Sequence, residues 1–449
     1  MATVPSVPLG VRAGVDGTVQ VVLHRFDGRV VVVARTASDR RRGALARRDG
    51  ESLAQAARLA VQLRTPLVLE LASSGADVSE GVDALHGWGG AAAAVAACSG
   101  VVPVVAAVTG PVISGPALLL GLADLVVMSA SAVAFVSGPS MVAEFTGVRV
   151  GLETLGGVGV HAAASGLCTL QAEDPRAGVA ELLGFLPSHT DEEGPFVPTV
   201  DPVDRAVPEL RSVVPARGSA SYDVRDVART VVDDEVLCEL WARWAPQMVT
   251  ALGRVAGRSV GIVANQPRSL AGTLDIVASQ KAARFVRFCD AFNLPIVTLV
   301  DTPGFLPGKD LEWRGMIRHG AELAFAYAEA TVPRICFILR KAFGGAYIVM
   351  DSKGLGNDLC LAWPGAEVAV MGAPGAVQIL HRRSAPEDRA RLEDEYTDRY
   401  LTPWPASERG FVDGVIDPAA TRTTLARALA ALSSKRESLA GRKHDVGPL

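Results

Sequence analysis

Two parts of this 449-residue chain repeat each other at a nearly constant spacing, and this repeat constrains the fold more than any other feature. Pro66-Leu-Val-Leu-Glu-Leu71 matches Pro295-Ile-Val-Thr-Leu-Val300 at an offset of 229 positions. Residues 103–115 match residues 333–345 at an offset of 230. Each longer match is an apolar, strand-like run that ends in a glycine turn before a small-residue helical stretch. The sequence therefore predicts two related halves fused into one protein.

The order of the predicted elements places each half in the α/β class. Residues 21–26 and 29–34 have the pattern of two strands around an Asp27-Gly28 turn, and strands then alternate with helical stretches. The same order returns after residue 260, with single helices predicted over 311–330 and 386–399. Repeated strand, turn and helix units are typical of a mostly parallel sheet covered by helices.

The boundary between the halves is predicted where the composition changes. Residues 172–226 are rich in Pro, Asp, Glu and Ser, as linkers between domains are. The chain is also longer than one hydrophobic core normally serves. We therefore expect two tandem domains, residues 1–215 and residues 216–449.

The charge and the cysteines argue against several functional classes. A formal net charge of -4 and a pI near 6.0 give no general electrostatic attraction for nucleic acid or anionic membranes. The six cysteines include no Cys-x-x-Cys pair, so neither a zinc ribbon nor a redox couple is indicated, and no metal site is predicted. Pro and Gly divide the uncharged stretch 84–123 into elements too short to span a bilayer. We expect a cytoplasmic metabolic protein with buried thiols.

The turn Gly344-Gly345-Ala346 is the first candidate for chemistry. It follows an apolar strand and opens a predicted helix, so its backbone N–H groups can face a ligand and favour a developing negative charge. That arrangement is an oxyanion hole. Glycine pairs more often serve packing alone, but the matching Ser114-Gly115 turn favours a function, because two such turns could stabilise two oxyanions.

Conventional catalytic motifs are missing from the sequence, which has no His-Glu-x-x-His, no phosphate-binding loop and no Gly-x-Gly-x-x-Gly opening a helix. His161, His319 and His381 are candidate bases, each with a structural or surface role as the alternative. The basic run 40–48 is either a solvated loop or a place for a phosphorylated ligand tail. Backbone donors together with a cofactor that brings its own reactive atoms would account for the shortage of catalytic side chains.

Five long segments of the second half carry a specific resemblance. They are Gly261-Ile-Val-Ala-Asn-Gln-Pro267, Lys281-Ala-Ala-Arg-Phe-Val-Arg-Phe-Cys-Asp-Ala-Phe292, Val300-Asp-Thr-Pro-Gly-Phe-Leu-Pro-Gly308, Arg340-Lys-Ala-Phe-Gly-Gly-Ala-Tyr347 and Ala362-Trp-Pro-Gly-Ala-Glu-Val-Ala-Val-Met-Gly-Ala373. The chain closely resembles the β (carboxyltransferase) subunit of biotin-dependent acyl-CoA carboxylases, most of all the short actinobacterial acetyl-CoA and propionyl-CoA carboxylase β subunits. The match covers about residues 222–417 and continues more loosely through 73–166.

The resemblance implies a fold, a reaction and partners. Each half would be a crotonase-like ββα superhelix, with the active site at a dimer interface and three dimers in a hexamer. The reaction would move a carboxyl group from carboxybiotin, on a separate carrier, to the α-carbon of a short acyl-CoA such as acetyl-CoA or propionyl-CoA. The implied partner is an α subunit with biotin carboxylase and biotin carrier functions, and a small ε subunit is a further candidate. No nucleic acid or membrane partner is implied.

The resemblance also implies roles for residues. The N–H groups of Gly345 and Ala346 would hold the ureido oxygen of biotin, and those of Ser114 and Gly115 the enolate oxygen of the thioester. The ureido nitrogen could then remove the α-proton, so no protein base is required. Ile348 occupies a position that helps set acyl preference, where propionyl-selective relatives carry Asp; the alternative is a core isoleucine. The other residues assigned to substrate binding are Phe343, Gly344, Gly75, Ala76 and Gly138.

The first half departs from the pattern of the family. Where relatives have Ser-Gly-Gly-Ala-Arg, this chain has Ser73-Ser-Gly-Ala-Asp77, and the expected Gly-Gly pair is Ser114-Gly115 followed by Pro116, which has no N–H. We expect a backbone N–H to remain available at both 114 and 115. Two alternatives to a carboxylase subunit stay open: a biotin-dependent decarboxylase subunit, and a degenerate subunit that only partners an active one.

Overall fold

A computed structural model describes residues 7–8, 17–26, 28–218, 220–435, 437–441, 443–444 and 446–448 of the chain. The chain divides into two compact units. The first contains Met1–Pro195 with the short segments Trp241–Trp244 and Ala291–Asn293, and the second contains the remainder.

The first unit is built on one mostly parallel sheet. Within the described residues its strand order is β1-β2-β3-β4-β5-β6-β8, and β7 pairs with β5 beyond the point where β6 ends. The strands are β1 Val7–Pro8, β2 Val19–Phe26, β3 Arg29–Thr36, β4 Leu67–Ser73, β5 Val104–Ile113, β6 Leu125–Met128, β7 Ala134–Phe135 and β8 Leu170–Gln171. The helices are α1 Arg47–Leu63, α2 Val82–Ala96, α3 Leu118–Leu122, α4 Pro139–Thr146, α5 Leu152–Gly156, α6 Val158–Val160 and α7 Pro175–Leu183.

The second unit repeats this plan strand for strand. Its order among the described residues is β9-β10-β11-β12-β13-β14-β16, with β15 beside β13. The strands are β9 Cys238–Leu240, β10 Met248–Val255, β11 Arg258–Asn265, β12 Ile296–Thr302, β13 Arg334–Phe343, β14 Leu359–Ala362, β15 Glu367–Ala369 and β16 Gly414–Val415. The helices are α8 Leu210–Val213, α9 Val224–Val231, α10 Ile276–Ala291, α11 Lys309–Trp313, α12 Met316–Glu329, α13 Gly344–Val349, α14 Ala373–Leu380, α15 Arg389–Tyr396, α16 Pro403–Glu408 and α17 Thr421–Ala431.

The spacing of the sequence repeat reappears in the strand register. Leu67 lies opposite Val104 in the first sheet, and Ile296 lies opposite Arg334 in the second. These are the positions that the offsets of 229 and 230 relate. Both ladders also shift register at matching points, between Leu71 and Ser73 and between Val300 and Thr302. The duplication therefore extends to the irregularity that precedes each glycine turn.

Burial explains why these segments fold as they do. All seven residues of β4 and all seven of β12 are buried, as expected for central strands of a parallel sheet covered on both faces. Helix α9 buries Val224, Val227, Ala228 and Val231, which recur on one face at helical spacing. Each unit encloses its own large apolar cluster.

Helices α1 and α2 pack unusually closely because glycines meet at their contact. A Cβ on Gly50 would lie 2.1 Å from the carbonyl carbon of Gly87, and a Cβ on Gly87 would lie 2.6 Å from the Arg47 Cα. Neither position can carry a side chain without separating the helices. This contact fixes the position of Trp88, the residue that follows Gly87.

Two predicted helices are interrupted in the structure. The helix expected over 311–330 is divided into α11 and α12 at Gly315, whose φ of 95° is compatible with glycine but not with a continuing helix. The helix expected over 386–399 is a 3₁₀ turn at Pro386–Asp388, then α15, then a π turn from Thr397 to Leu401. The hairpin of β2 and β3 is present, although Asp27 of its predicted turn lies outside the described residues.

The six cysteines are free and buried, as the sequence predicts. Among the helices of the described residues, none combines the length and the apolar character needed to cross a membrane.

Lys281 is the most unusual buried charge of the second unit. It lies on α10 with its side chain 0% exposed, and its Nζ donates to the Met248 carbonyl oxygen at 2.6 Å. Burial lowers the pKa of Lys281 to about 7. The unfolded chain, with an ordinary lysine pKa, therefore binds more protons than the folded protein between about pH 7 and pH 10.

We expect this difference to make the stability rise with pH. The Lys281 contribution to the free energy of unfolding should rise by up to about 1.4 kcal/mol per pH unit over that range. Thermal unfolding at pH 7, 8 and 9 should therefore show the Tm of the wild type rising relative to that of Lys281→Met. The exposed Lys309→Met variant serves as the control and should follow the wild type. Parallel pH profiles for wild type and Lys281→Met would contradict the assignment.

Candidate active site

The turn of the second unit connects β13 to α13 and requires glycine at its first position. Gly344 has a φ of 59°, in the region that favours glycine. A Cβ there would also lie 3.0 Å from the Val370 carbonyl oxygen. The following Gly345 is exposed, so the turn is open to solvent in this chain.

Two backbone donors of this turn are left for a ligand. Gly345 and Ala346 are the second and third residues of α13, and N–H groups in the first turn of a helix have no acceptor within the helix. The residue before the helix, Phe343, provides no side-chain cap. Within the described residues, neither of these two N–H groups donates to a backbone acceptor. The turn therefore presents two adjacent N–H groups that have no acceptor among the described residues.

A buried ion pair supports the strand that carries this turn. The Arg340 Nε donates to Asp301 Oδ2 at 3.0 Å, and the Lys341 N–H donates to Asp301 Oδ1 at 3.1 Å. Arg340 also donates to the Ala220 carbonyl oxygen at 2.7 Å. Burial raises the pKa of Asp301, whereas Arg340 and the Lys341 N–H act in the opposite direction by favouring the carboxylate. Asp301 is the residue skipped by the register shift of β12, so the pair fixes β13 just before the turn.

An aromatic ring that the sequence reasoning did not single out lies beside the donors. The ring of Phe305 approaches to 3.6 Å from the position of a Cβ on Gly345. Phe305 follows β12 and is held by a bridge to Leu274. The repeat could not identify it, because its counterpart at an offset of 229 is Ala76.

Phe343 and Ile348 have different environments. Phe343 is 7% exposed and packs with Ala373 and Leu401, so its side chain supports the turn and does not offer a substrate contact. Ile348 is 46% exposed, so within this chain it is not the core isoleucine of the alternative interpretation. Its counterpart at an offset of 230 is Leu118, which is 49% exposed and which the repeat could have identified.

The turn of the first unit has a similar φ at its first residue and a different donor set. Ser114 has a φ of 64°, close to the value at Gly344. Its N–H donates to the Phe135 carbonyl oxygen at 2.9 Å. The expectation that the Ser114 N–H is available to a ligand is therefore wrong: it is used by the pairing of β5 with β7. Since Pro116 has no N–H, Gly115 supplies the one backbone donor that the described residues leave open at positions 114–116.

Gly115 is closed on one side by an indole ring. A Cβ on Gly115 would lie 2.8 to 3.1 Å from three ring atoms of Trp88. Sequence reasoning missed Trp88, because its approach depends on the packing of α2 against α1. Glycine is required at 115 for this contact as well as for access to the N–H.

The remaining candidate residues of the first unit lie at the same end of its sheet. Gly75 has a φ of 108°, and the position of a Cβ on it lies 3.4 Å from the Ser114 Cβ. The neighbouring Ala76 pairs with Leu45. Gly138 directly precedes α4, and a Cβ there would lie 3.4 Å from the Phe135 ring. The structure thus brings Gly75, Ser114, Gly115 and Gly138 together around the carboxyl ends of β4, β5 and β7.

The candidate bases have partners within the chain. The His161 Nε2 lies 2.8 Å from the Ala134 carbonyl oxygen, and its Nδ1 lies 2.7 Å from the Ser165 hydroxyl. The His319 Nδ1 lies 2.8 Å from a carboxylate oxygen of Glu322, while His381 is exposed. These contacts favour structural or surface roles over general base catalysis.

The basic run is partly paired. Arg41 contacts Asp77, and Arg47 contacts Glu51 at 2.9 Å. The Arg47–Glu51 pair is exposed, and such salt bridges contribute little to stability, whereas Asp77 of the other pair is buried. These contacts place Arg47 on a solvated face and give Arg41 a buried carboxylate partner.

The family model described as "Carboxyl transferase domain" matches residues 14–446. The chain belongs to the carboxyl transferase family. Among curated proteins, the propionyl-CoA carboxylase beta chain of Saccharopolyspora erythraea is 45% identical, with 91% of this chain and 79% of that protein covered. The methylmalonyl-CoA carboxyltransferase 12S subunit of Propionibacterium freudenreichii is 46% identical, over 86% of this chain and 75% of that protein. The methylmalonyl-CoA decarboxylase subunit alpha of Veillonella parvula is 42% identical, over 94% and 84%.

Two solved structures match the chain over most of its length. The crystal structure of transcarboxylase 12S, described as a hexamer with hydrolysed methylmalonyl-coenzyme A bound, superimposes with a TM-score of 0.94 at 42% identity. That match covers 96% of this chain and 85% of the other. A single-chain, multi-domain long-chain acyl-CoA carboxylase matches with a TM-score of 0.79 at 28% identity, covering 92% of this chain and 41% of the other. The predicted carboxyltransferase resemblance and the predicted two-copy crotonase-like α/β fold are confirmed.

Proposed function

We propose that this chain is the carboxyltransferase subunit of a biotin-dependent acyl-CoA carboxylase. It moves the carboxyl group of carboxybiotin, held on a separate carrier, to the α-carbon of a short acyl-CoA, forming malonyl-CoA from acetyl-CoA or methylmalonyl-CoA from propionyl-CoA. The observation that carries the proposal is the uncapped turn at Gly345 and Ala346 within a fold of the carboxyl transferase family.

The second unit supplies the biotin side of the reaction. The Gly345 and Ala346 N–H groups fit a ureido oxygen, because two neighbouring donors without protein acceptors point to one acceptor from outside. When bound, carboxybiotin supplies the carboxyl group and, once that group has left, a ureido nitrogen basic enough to accept the α-proton. The donors hold the oxygen where negative charge develops as the carboxyl group leaves.

The first unit supplies the acyl-CoA side. The Gly115 N–H polarises the thioester carbonyl and stabilises the enolate oxygen that forms when the α-proton leaves. The new C–C bond joins that α-carbon to the carboxyl carbon. No histidine or carboxylate of the chain is required as a base, which agrees with the partners found for His161 and His319.

Reconstitution tests the proposal. The purified chain is combined with a biotin carboxylase and carrier subunit, ATP and labelled bicarbonate, and acetyl-, propionyl- and butyryl-CoA are tested as acceptors. We expect acid-stable label in acetyl-CoA and propionyl-CoA products. A chain that incorporates no label with any partner or acceptor would refute the carboxyltransferase assignment.

The reverse reaction is the second candidate function. The similarity to the alpha subunit of a methylmalonyl-CoA decarboxylase favours it, because that relative shares the same extent of the chain. Incubation of the chain with methylmalonyl-CoA and a biotin carrier, without ATP, would reveal loss of carboxylate from the thioester. The third candidate, a degenerate subunit acting only as a partner, is motivated by the altered turn of the first unit; it predicts activity in neither direction.

The partners follow the same assignment. We propose a homohexamer, supported by the similarity to the hexameric transcarboxylase 12S, together with an α subunit that carries biotin. A small ε subunit is a further candidate. Light scattering of the purified chain should give six copies of the 46.8 kDa protein; a monomer at micromolar concentration would contradict the proposal.

Ile348 is proposed to tune the choice of acyl group. It projects from α13, two residues after the donor Ala346, and its exposed side chain is apolar. We expect Ile348→Asp to change the ratio of kcat/KM for acetyl-CoA over propionyl-CoA by about tenfold or more, since burial of one methylene or of a charge shifts discrimination by that amount. The control Ile348→Leu, which keeps an apolar side chain of equal size, should leave the ratio near its original value. An unchanged ratio in Ile348→Asp would remove this residue from the specificity argument.

A further inference from the structure

Ser114 has a backbone conformation that is typical of glycine. Its φ is 64° and its ψ is -144°, whereas the matching residue of the second unit is Gly344 with a φ of 59°. That combination of angles is essentially restricted to glycine, and other residues persist there only when the surroundings impose it. Ser114 therefore holds a strained backbone conformation.

The backbone of this turn does not supply a second donor. The Ser114 N–H is bonded to Phe135, Pro116 has no N–H, and the Ala117 N–H donates to the Ser114 carbonyl oxygen at 2.9 Å. The second unit offers two adjacent donors at Gly345 and Ala346, whose counterparts are Gly115 and Pro116. A hole with one donor stabilises an enolate less well than a hole with two.

The Ser114 hydroxyl is a second donor at this turn. The residue is exposed, and its side chain caps neither the short 3₁₀ turn that follows nor any other group within the part of the chain that the structure describes. Its Cβ lies against Gly75, at the end of the sheet where Gly115 also lies. A serine hydroxyl is a donor that rotates about one bond to meet an acceptor.

We infer that the Ser114 hydroxyl, together with the Gly115 N–H, binds the enolate oxygen of the acyl-CoA thioester. The side chain replaces the backbone donor that Pro116 cannot provide, which makes Ser114 a catalytic residue through its side chain and not its N–H. This inference rests on the proposed function of the same turn. It concerns hydrogen bonding only, and the proton and carboxyl transfers stay as described above.

Binding of an enolate mimic tests the inference in the full chain. The probe is a CoA thioether that carries a nitronate in place of the thioester enolate, compared with acetyl-CoA as the ground-state ligand. We expect Ser114→Ala to weaken nitronate binding about tenfold or more, as loss of a hydrogen bond to a charged group does. Acetyl-CoA binding should change less than about twofold, since the hydroxyl acts mainly on the charged state.

Two further variants separate the hydroxyl from the backbone. Ser114→Gly removes the hydroxyl but relieves the backbone, so it should raise the Tm and weaken nitronate binding as Ser114→Ala does. Adding Pro116→Ala to Ser114→Gly restores an N–H at the position that matches Ala346 and should recover most of the affinity. A merely structural serine would instead give Ser114→Gly full affinity for the nitronate.

The outcomes distinguish the inference from the function on which it rests. Equal nitronate binding by the wild type, Ser114→Ala and Ser114→Gly would overturn the role of the hydroxyl while leaving the carboxyltransferase assignment intact. A wild-type chain that binds neither acetyl-CoA nor the nitronate would overturn the proposed function, and the inference with it.

Discussion

Replacing Ala346 with proline should lower kcat for carboxyl transfer by about 100- to 1,000-fold, as loss of one oxyanion-hole donor does in other enzymes. The substitution deletes a single N–H from the turn of the second unit. Proline is tolerated in the first turn of a helix, because no intrahelical hydrogen bond is lost there. The first unit already carries Pro116 at the matching position, so the fold accepts the ring.

The matched control is Ala346→Gly, which keeps the N–H and should retain most of the activity. The KM for acyl-CoA should stay within about twofold in both variants, because the lost donor acts on the transition state. The Tm of Ala346→Pro should remain close to that of the wild type. Full activity in a folded Ala346→Pro variant would show that this N–H does not act on the biotin oxygen.

Replacing Asp301 with alanine should have the largest effect on stability. The change leaves the Arg340 guanidinium buried without its carboxylate, and breaking a buried pair in this way costs about 3–5 kcal/mol. Urea unfolding of the second unit, followed by the fluorescence of its tryptophans, should report the loss. The exposed pair of Arg391 and Glu395 provides the control, because Arg391→Met should leave the urea midpoint unchanged.

A second substitution should repair much of this damage. The double variant Asp301→Ala/Arg340→Met has no unpaired buried charge. Replacing a buried ion pair by apolar side chains often leaves the free energy of unfolding nearly unchanged. The first unit shows that this is feasible, since its counterparts are Ala72 and Gly110, where a Cβ on Gly110 would contact Ala72 at 3.3 Å. Equal stability losses in the single and double variants would show that the pair acts through geometry and not through its charge.

The repeat predicted the division into two similar units, because the offset between the two copies can be measured in the sequence without knowing how either copy folds. Residues related by 229 and 230 positions occupy matching places in the two registers, and the turn at Gly344 could be located from one strand and one glycine pair. Strands β4 and β12 are composed mostly of apolar residues, which agrees with their full burial. These features depend on short stretches of chain.

The features that the sequence did not predict depend on tertiary contacts. The Ser114 N–H is used because the two-residue strand Ala134–Phe135 pairs with the end of β5, and this choice of pairing partner depends on tertiary contacts. Trp88 reaches Gly115 through the close contact of Gly50 with Gly87, which lie 37 positions apart. The break between α11 and α12 follows from the left-handed conformation of Gly315 in an otherwise helical sequence.

The strand pairings of each sheet stay within one unit, and this has a consequence for how the protein could be encoded. A break in the polypeptide between Pro195 and Phe196 would interrupt none of the strand ladders among the described residues. The segments Trp241–Trp244 and Ala291–Asn293, which belong to the first unit, would then be supplied by the second polypeptide. The Trp241 N–H donates to the Thr169 carbonyl oxygen at 2.8 Å. Two open reading frames that are split at this point and expressed together would encode all the strands of both sheets among the described residues.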